Sequence, residues 1–214
     1  MEGATKRWMA RWLLRILAAG LLAALPFTLL VRGALVASSS WGCHAWLAVA
    51  FGALLAAFAL SALAWWTLRR LSMRPSFRTV ATRLGLPLVV VFCSFSLLYL
   101  SDSNAKSAEI REAYSRLHPI LRLAVGTVRL VDTRILVTDI ERGPTSYAAM
   151  RLPRPTNSFH FRQKDGTVHA IDLRTEGRGS LRNGLVQLYF ELLGFDTVRH
   201  VGTADHLHVR LPEA

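Results

Sequence analysis

Three long apolar stretches dominate the first half of the chain, whereas the second half alternates between short helical and strand patterns. The stretches run over about residues 13–31, 41–68 and 84–100, and each approaches or exceeds the roughly 20 residues that cross a bilayer as a helix. The first follows a basic segment, but its length and the two later stretches distinguish it from a signal peptide. The pattern predicts three transmembrane helices, with Pro26 tolerated inside the first.

The second half predicts a small α+β domain with an antiparallel sheet. Its expected elements, in chain order, are a helix interrupted at Pro119, a strand near 134–138, a hairpin over 157–175, a helix over 180–193 and two strands over 196–211. Ser180 is the expected N-cap of the last helix and Gly194 its C-cap. We therefore expect a membrane anchor over residues 1–101 and a separate domain over residues 102–214.

Positive charge is concentrated beside the apolar stretches. Residues 1–101 carry ten Lys and Arg and one acid, whereas residues 102–214 carry sixteen Lys and Arg and thirteen acids. Only Arg32 lies between the first two stretches, so the positive-inside rule predicts a cytoplasmic N-terminus and an extracytoplasmic C-terminal domain. Because membrane orientation explains the excess charge and no aromatic-basic interleaving accompanies it, nucleic-acid binding is not expected.

A row of small residues, Ala53, Ala57 and Ser61, marks a helix-packing face in the second stretch. Packing within the chain is the simpler interpretation, and a homodimer through the transmembrane helices is the alternative. No acidic residue lies within a stretch, which disfavours a transporter or proton relay because these need buried ionisable groups. The apolar half therefore predicts an anchor in the lipid bilayer.

The second half contains no cysteine, so a metal site there must use histidine and carboxylate ligands. Three short motifs supply such ligands: Ser158-Phe159-His160, Ala170-Ile171-Asp172-Leu173 and Asp205-His206-Leu207-His208. A hydrolytic zinc site keeps three protein ligands and one open position, which His160, Asp172 and His208 would satisfy. His169 is a rival first ligand, but it is three residues from Asp172 and would face the other side of a regular strand.

In this order the motifs resemble the zinc D-alanyl-D-alanine carboxypeptidase family, which groups with lysostaphin-type and Hedgehog-type zinc folds. That family shows Ser-x-His, then Ala-x-Asp-Leu, then an acid three residues before a last ligand histidine, often as His-x-His. The resemblance covers about residues 132–212 and none of the apolar stretches. It implies a zinc-dependent carboxypeptidase or endopeptidase that cleaves peptidoglycan stem peptides next to a D-amino acid. The predicted topology would place such a domain in the periplasm, anchored in a bacterial inner membrane.

The resemblance also implies roles for four residues beside the three ligands. Asp205 would act as the general base and His206 would stabilise the oxyanion, with the division between these two left open. Arg142, which ends the segment ILVTDIER, would bind a substrate carboxylate through its guanidinium fork. Ser158 would orient a ligand or the substrate.

The spacing of the first two motifs departs from the family. Eleven residues lie between His160 and Asp172, where the family usually has six. Both side chains share one face of a hairpin only if the loop has three residues, 164–166, with Gly166 left-handed, and we expect that loop. The departure leaves two alternatives open: a non-catalytic module that binds peptidoglycan or a protein with a degenerate metal site, and a membrane scaffold.

Overall fold

The computed structural model describes residues 2–143, 157–202 and 205–212. Its first part consists of three helical segments, each long and apolar enough to cross a membrane. They are α1 (Glu2–Ser39), α2 (Ala45–Arg70) and a third segment made of α3 (Phe77–Val80), a π-helical turn (Ala81–Gly85) and α4 (Leu86–Leu98). The predicted trio of apolar helices is confirmed, and α1 continues through Pro26 and beyond both predicted ends.

Small residues let these helices approach closely. Gly52 of α2 lies against the Leu30 carbonyl of α1, where an added Cβ would collide. Gly85 of the third segment lies in the same way against Ala57 and Ser61 of α2, and the Ser61 hydroxyl donates to the Ala57 carbonyl at 2.6 Å. The predicted small-residue row therefore packs inside this chain, as the simpler interpretation expected.

The helix expected around Pro119 is divided into two. α5 (Ala108–Ala113) ends in a 3-10 turn, and α6 (Pro119–Val131) begins at the proline. Proline suits the first turn of a helix because its missing N–H would have no partner within the helix. His118 is the N-cap of α6, and its Nδ1 accepts a hydrogen bond from the Ile120 backbone N–H at 3.3 Å.

α6 packs directly against the apolar helices. Residues 119–128 are all buried, and Gly126 lies against Ser96 of α4. Arg122 donates to the Leu97 carbonyl at 2.6 Å, where the C-terminus of α4 carries the negative end of its helix dipole. One buried core therefore continues from α1 and α2 into the C-terminal part.

The C-terminal part contains a four-stranded antiparallel sheet in the order β1-β2-β4-β3. Its strands are β1 (Val137–Asp139), β2 (Ala170–Arg174), β3 (Asp196–His200) and β4 (His206–Arg210), and α7 (Ser180–Leu193) connects β2 to β3. Leu173 and Leu207 are opposite each other and buried, and Asp172 and His208 are the next pair along the ladder. The predicted class, apolar helices followed by an α+β domain, is confirmed.

The ends of α7 test the two predicted caps. Gly194 has φ +94° at the C-cap, which confirms the prediction, because only glycine adopts this left-handed conformation readily. The N-cap is Gly179 and not Ser180, because the Gly179 carbonyl already accepts a hydrogen bond from the Asn183 N–H at 3.1 Å. The helix thus begins one residue earlier than expected.

The first arm of the hairpin predicted over 157–175 does not form a strand, and this prediction is wrong. β2 has β1 on one side and β4 on the other, so both of its edges are occupied. The arm contacts the chain before β2 at an isolated bridge between Arg162 and Val168 and through a hydrogen bond from the His169 N–H to the Phe159 carbonyl at 3.0 Å. Near its start the Ser158 hydroxyl accepts the His160 backbone N–H at 3.2 Å, which bends the arm over the sheet.

The loop at the end of that arm has the predicted form. Gly166 is left-handed, with φ +79°. The Gln163 backbone N–H donates to the Thr167 carbonyl at 2.8 Å, which closes a three-residue loop over 164–166. The Gly143-Pro144 pair in the sequence also predicts a turn after the first strand, which extends outside the described residues.

Candidate metal centre

The three predicted ligands meet on one face of the sheet. Asp172 and His208 are opposite each other on β2 and β4, and His208 Nδ1 lies 2.8 Å from Asp172 Oδ1. His160 reaches over them from the bent arm, with its Nε2 3.3 Å from Asp172 Oδ1 and 3.2 Å from His208 Nδ1. We refer to these three residues as the sheet cluster.

The separations within the sheet cluster suit a tetrahedral ion. Zinc bonds to nitrogen and oxygen of about 2.0–2.2 Å place the ligand atoms about 3.3–3.6 Å apart at the corners of a tetrahedron. The three observed separations are 2.8, 3.2 and 3.3 Å. Small outward shifts of the side chains would therefore accommodate an ion.

A hydrogen bond on the far side of the His160 ring prepares the near side for a metal. Its Nδ1 lies 2.7 Å from the Ile140 carbonyl. A carbonyl can only accept, so Nδ1 carries the proton and Nε2 directs its lone pair into the cluster. The Arg142 backbone N–H donates to the His160 carbonyl at 3.0 Å, which fixes the bent arm to the segment after β1. Histidines that bind a metal typically donate their other ring N–H to a carbonyl or carboxylate, as His160 does to Ile140.

Asp172 is an ionised group in an almost dry position, only 2% exposed. Burial by itself would raise the pKa of its carboxyl group. Interactions with His160 and His208 and the positive charge of Arg142 together outweigh burial and hold that pKa well below its usual range. The carboxylate therefore stays charged and able to act as a ligand throughout the physiological pH range.

Arg142 contacts the ligand set from the opposite side. Its Nη2 donates to Asp172 Oδ2, whereas Asp172 Oδ1 faces the two histidines, and its Nε donates to Asp139 Oδ2 at 2.5 Å. The residue predicted to bind a substrate carboxylate is thus directed at two carboxylates of its own chain. Its structural contribution is to orient Asp172, and its substrate role stays a prediction.

Ser158 and His206 also lie beside the sheet cluster. The Ser158 hydroxyl accepts the His160 N–H, so it shapes the segment that carries a ligand, and its contact with substrate stays a prediction. His206 shares the sheet face of His208, with its Nε2 3.7 Å from Asp172 Oδ2. Its ring stacks on His200, with 4.7 Å between ring centroids.

Asp205 is directed away from the sheet cluster. Its Oδ1 accepts the Gly202 backbone N–H at 2.5 Å, and its Oδ2 lies 3.6 Å from Arg199 Nη2. Asp205 directly precedes β4, which begins at His206, and successive side chains of an extended backbone point to opposite faces. A turn at Ala204-Asp205 is what would direct Asp205 toward His208, and that turn extends outside the described residues. Asp205 as general base stays a prediction, and His206 is the nearer of the two candidates.

A second group of the same residue types lies at the other end of β2. His169 Nε2 lies 2.9 Å from Asp165 Oδ2, and His118 Nε2, at the start of α6, lies 3.9 Å from the same oxygen. We refer to these three residues as the turn cluster. It borders a cavity of about 680 Å³ that the connection between α1 and α2 also lines.

The hydrogen bonds around the turn cluster differ in kind. Because the Ile120 N–H can only donate, His118 Nδ1 is the acceptor and the ring proton sits on Nε2, the atom that faces Asp165. Asp165 also accepts the N–H of Thr167 at 3.0 Å and its hydroxyl at 2.9 Å. Burial, followed by the charge of His169, lowers the pKa of His118 to about 4, although Asp165 opposes the shift. The geometry of the turn cluster therefore favours a turn stabilised by hydrogen bonds over a metal site.

Sequence patterns missed two features of these sites. A histidine next to Pro119 is typical of the surface or of a helix end; His118 does lie at a helix end, but it is 3% exposed and contacts residues far along the chain. Asp139 was not singled out, although its position three residues before Arg142 was a usable signal for their ion pair.

Comparisons with known proteins do not add to this geometry. No protein-family model, no curated protein and no solved structure matches the chain.

Proposed function

We propose that the chain is a membrane-anchored zinc-dependent peptidase that cleaves peptidoglycan stem peptides next to a D-amino acid. The observation that carries the proposal is the sheet cluster: two imidazoles and one buried carboxylate at zinc-ligand spacing, with the tautomer of His160 set for binding. Motifs that resemble those of the zinc carboxypeptidase family supply all three side chains. The three helices that can cross a membrane support the anchor.

Each residue of the site has a distinct task in this proposal. His160, Asp172 and His208 hold zinc, which when bound supplies Lewis acidity and a water of lowered pKa for attack on a peptide carbonyl. His206, with its side chain 25% exposed beside Asp172, donates a hydrogen bond to the oxyanion that develops. Asp205 serves as general base after it exchanges its contact with the Gly202 N–H for the reacting water.

The distribution of charge supports the proposed location. The loop between the second and third apolar stretches of the sequence, residues 69–83, carries five arginines and no acid: Arg69, Arg70, Arg74, Arg78 and Arg83. The positive-inside rule then places that loop and the N-terminus in the cytoplasm of a bacterium. The C-terminal part would lie in the periplasm, anchored in the inner membrane, where peptidoglycan is within reach.

A second candidate function is a non-catalytic module that binds peptidoglycan or a partner protein. Two observations favour it: Arg142 already occupies the second oxygen of Asp172, and the spacing between His160 and Asp172 differs from that of the resembling family. In that case the sheet cluster would be a structural relic of a metal site. Metal content and peptide cleavage distinguish the two functions.

The test uses the full chain in detergent, because α6 packs on α4 and α1 and a truncated domain would expose that surface. Zinc content is measured for the wild type and for an Asp172→Ala, His208→Ala double variant. Both proteins are then incubated with purified peptidoglycan, and released peptides are identified by mass spectrometry. The matched control is Asp165→Ala, His169→Ala, the same two residue types in the turn cluster.

The expected result is one zinc per wild-type chain and per control chain, none in the double variant, and cleavage that follows the metal. A folded wild-type protein without zinc would reject the peptidase. A wild-type protein that holds zinc but releases no peptide, and is retained by peptidoglycan, would support the binding module instead.

A further inference from the structure

Helix α7 has two apolar faces, and only one of them belongs to the protein core. Val186, Phe190 and Leu193 are buried against the rest of the C-terminal part. On the opposite side four leucines form a stripe at spacings of four, three and four residues, with exposed fractions of 77, 58, 47 and 72%: Leu181, Leu185, Leu188 and Leu192. A stripe of this kind is typical of a helix that lies in a membrane interface.

The stripe runs into an apolar groove whose far wall is a membrane-spanning helix. This groove of about 510 Å³ is lined by Leu192 of α7, by Leu130 and Val131 at the end of α6, and by Ala23 and Phe27 of α1. Leu130 is 54% and Val131 86% exposed. Apolar side chains therefore continue from α7 across α6 onto α1.

The position of the groove along α1 fixes its depth. Its α1 residues lie between Gly20 and Thr28, inside the apolar stretch over 13–31 that predicts the span. Residues 8–25 of α1 are exposed throughout, as expected for a surface that lipid covers. A groove at this level of a spanning helix opens into hydrocarbon rather than into water.

Arg32 holds α7 at this level. Its Nη1 donates to the Leu193 carbonyl at 2.9 Å, where the C-terminal end of α7 presents the negative end of its dipole. Arg32 directly follows the apolar stretch, at the height where an arginine extends its charge into the headgroup region. The bond thus ties the end of α7 to the boundary between hydrocarbon and headgroups.

We propose that α7 and the end of α6 insert into one leaflet of the bilayer, and that a phospholipid acyl chain fills the groove between them and α1. The leucine stripe then faces lipid, and the opposite face of α7 packs on the sheet side. β3 begins two residues after Gly194, so the depth of α7 also fixes the height of the sheet cluster above the membrane. This inference does not depend on zinc or on peptidase activity.

The test maps contact with lipid at single labelled positions of the full chain. Cys43 and Cys93, which are free, are first replaced by Ser and Ala. Leu185→Cys and Leu188→Cys place a fluorophore on the stripe, and Gln187→Cys and Glu191→Cys place it on the polar side of the same helix. Leu21→Cys on α1 is the positive control, since Leu21 is 69% exposed within the apolar stretch. Each protein is reconstituted in vesicles of phosphatidylcholine and phosphatidylglycerol.

The expected result is strong quenching at 185, 188 and 21 by lipids with a nitroxide on the acyl chain, at least several-fold above positions 187 and 191. Aqueous iodide should show the reverse order. Equal behaviour of positions 185 and 191 would overturn the proposal. Protection of 185 and 188 from both quenchers, with energy transfer between differently labelled chains, would overturn it in favour of a second copy.

A measurement on the unsubstituted chain guards against variants that fail to fold. Vesicles are prepared with a phospholipid that carries a photoreactive diazirine on its acyl chain, and crosslinked peptides are identified after digestion. Crosslinks within 181–193 and at 130–131, in addition to those in the three spans, are expected. Crosslinks confined to the spans would overturn the proposal.

Discussion

The sheet cluster and the turn cluster contain the same side chains, two histidines and one aspartate, yet their surroundings differ. In the sheet cluster, Nδ1 of His160 hydrogen-bonds to the Ile140 carbonyl, and Arg142 donates a hydrogen bond to Asp172 Oδ2. In the turn cluster, Nδ1 of His118 accepts a hydrogen bond from the Ile120 N–H. The carbonyl leaves a lone pair facing the cluster, whereas the N–H leaves a proton there.

The residue types of a cluster therefore do not by themselves define a metal site. Both groups have potential ligand atoms within 4.8 Å of one another, so proximity cannot separate them. What distinguishes the two clusters is the hydrogen-bond partner of Nδ1 in His160 and in His118. That partner decides whether Nε2, which faces the cluster, can bind a cation or instead donates a hydrogen bond. The two clusters should therefore respond differently to substitution, to zinc and to pH.

The largest expected effect comes from removal of one carboxylate from each cluster. Asp172→Ala should lower zinc affinity by more than about 100-fold, because loss of a mere outer partner of a ligand already costs about 10–100-fold. Asp165→Ala, the matched change in the turn cluster, should leave zinc affinity unchanged. Equilibrium dialysis of the full chain followed by elemental analysis measures both. Two ions per wild-type chain, or loss of zinc in Asp165→Ala, would contradict the comparison.

A smaller effect is expected from the support of the ligand carboxylate. Arg142→Gln removes the charge that lowers the pKa of Asp172 and the bond that orients it, so zinc affinity should fall by about 10–100-fold. The control is Arg162→Gln, since Arg162 is an exposed arginine bonded to Glu141 at 2.7 Å. Competitive titration with a chromophoric chelator gives both affinities. Unchanged or tighter binding in Arg142→Gln would show that Arg142 competes with the ion.

The turn cluster should affect the acid stability of the fold. Burial holds the pKa of His118 near 4, below the unfolded value of about 6.5, so the unfolded chain takes up the proton first as pH falls. The contribution of the neutral His118 ring to the free energy of unfolding is complete above about pH 6.5, and it is lost as the pH falls from there to about 4. This residue should therefore make unfolding about 2 kcal/mol easier at pH 5 than at pH 7.

Denaturation of the full chain in detergent at pH 7 and pH 5 measures this change. His118→Asn keeps an oxygen that can accept the Ile120 N–H at the N-cap but cannot titrate, so its stability should vary less between the two pH values. His169→Asn, whose imidazole is partly exposed, is the control and should retain most of the dependence. An identical pH dependence in His118→Asn would contradict the assignment.

The last prediction requires no substitution and involves no change in stability. Nitrogen-15 spectra of the imidazole rings at neutral pH, without zinc, should show the proton of His160 on Nδ1 and that of His118 on Nε2. These assignments follow from a carbonyl partner in one case and an N–H partner in the other. The same tautomer in both rings would remove the physical basis of the comparison.

Patterns along the chain predicted the elements that depend on local sequence. Apolar runs of about 17 residues or more predicted the three long helices, since each helix satisfies its own backbone hydrogen bonds. Gly194 and the loop at Gly166 were predicted because both positions need a left-handed backbone that glycine adopts at little cost. Pro119 marked a helix boundary for an equally local reason, its missing N–H.

Patterns failed where the outcome depended on partners distant in sequence. The arm that carries His160 has the composition of a strand, but β1 and β4 occupy both edges of β2, so the arm bends over the sheet instead of joining it. The leucine stripe of α7 was similarly ambiguous, because its spacing alone does not say which face meets the core and which meets α1.

Local sequence therefore predicted the apolar helices, the C-cap at Gly194, the loop at Gly166, and the three residue types of the sheet cluster in their order. Tertiary packing was needed to show that His160 reaches Asp172 from a bent arm, that Arg142 supports the carboxylate, and that His118 joins the turn cluster. The two groups of features differ in the sequence separation of the residues that determine them. Backbone conformation depends on neighbours in the chain, whereas the protonation and orientation of an imidazole depend on the atom that packing places against its second nitrogen.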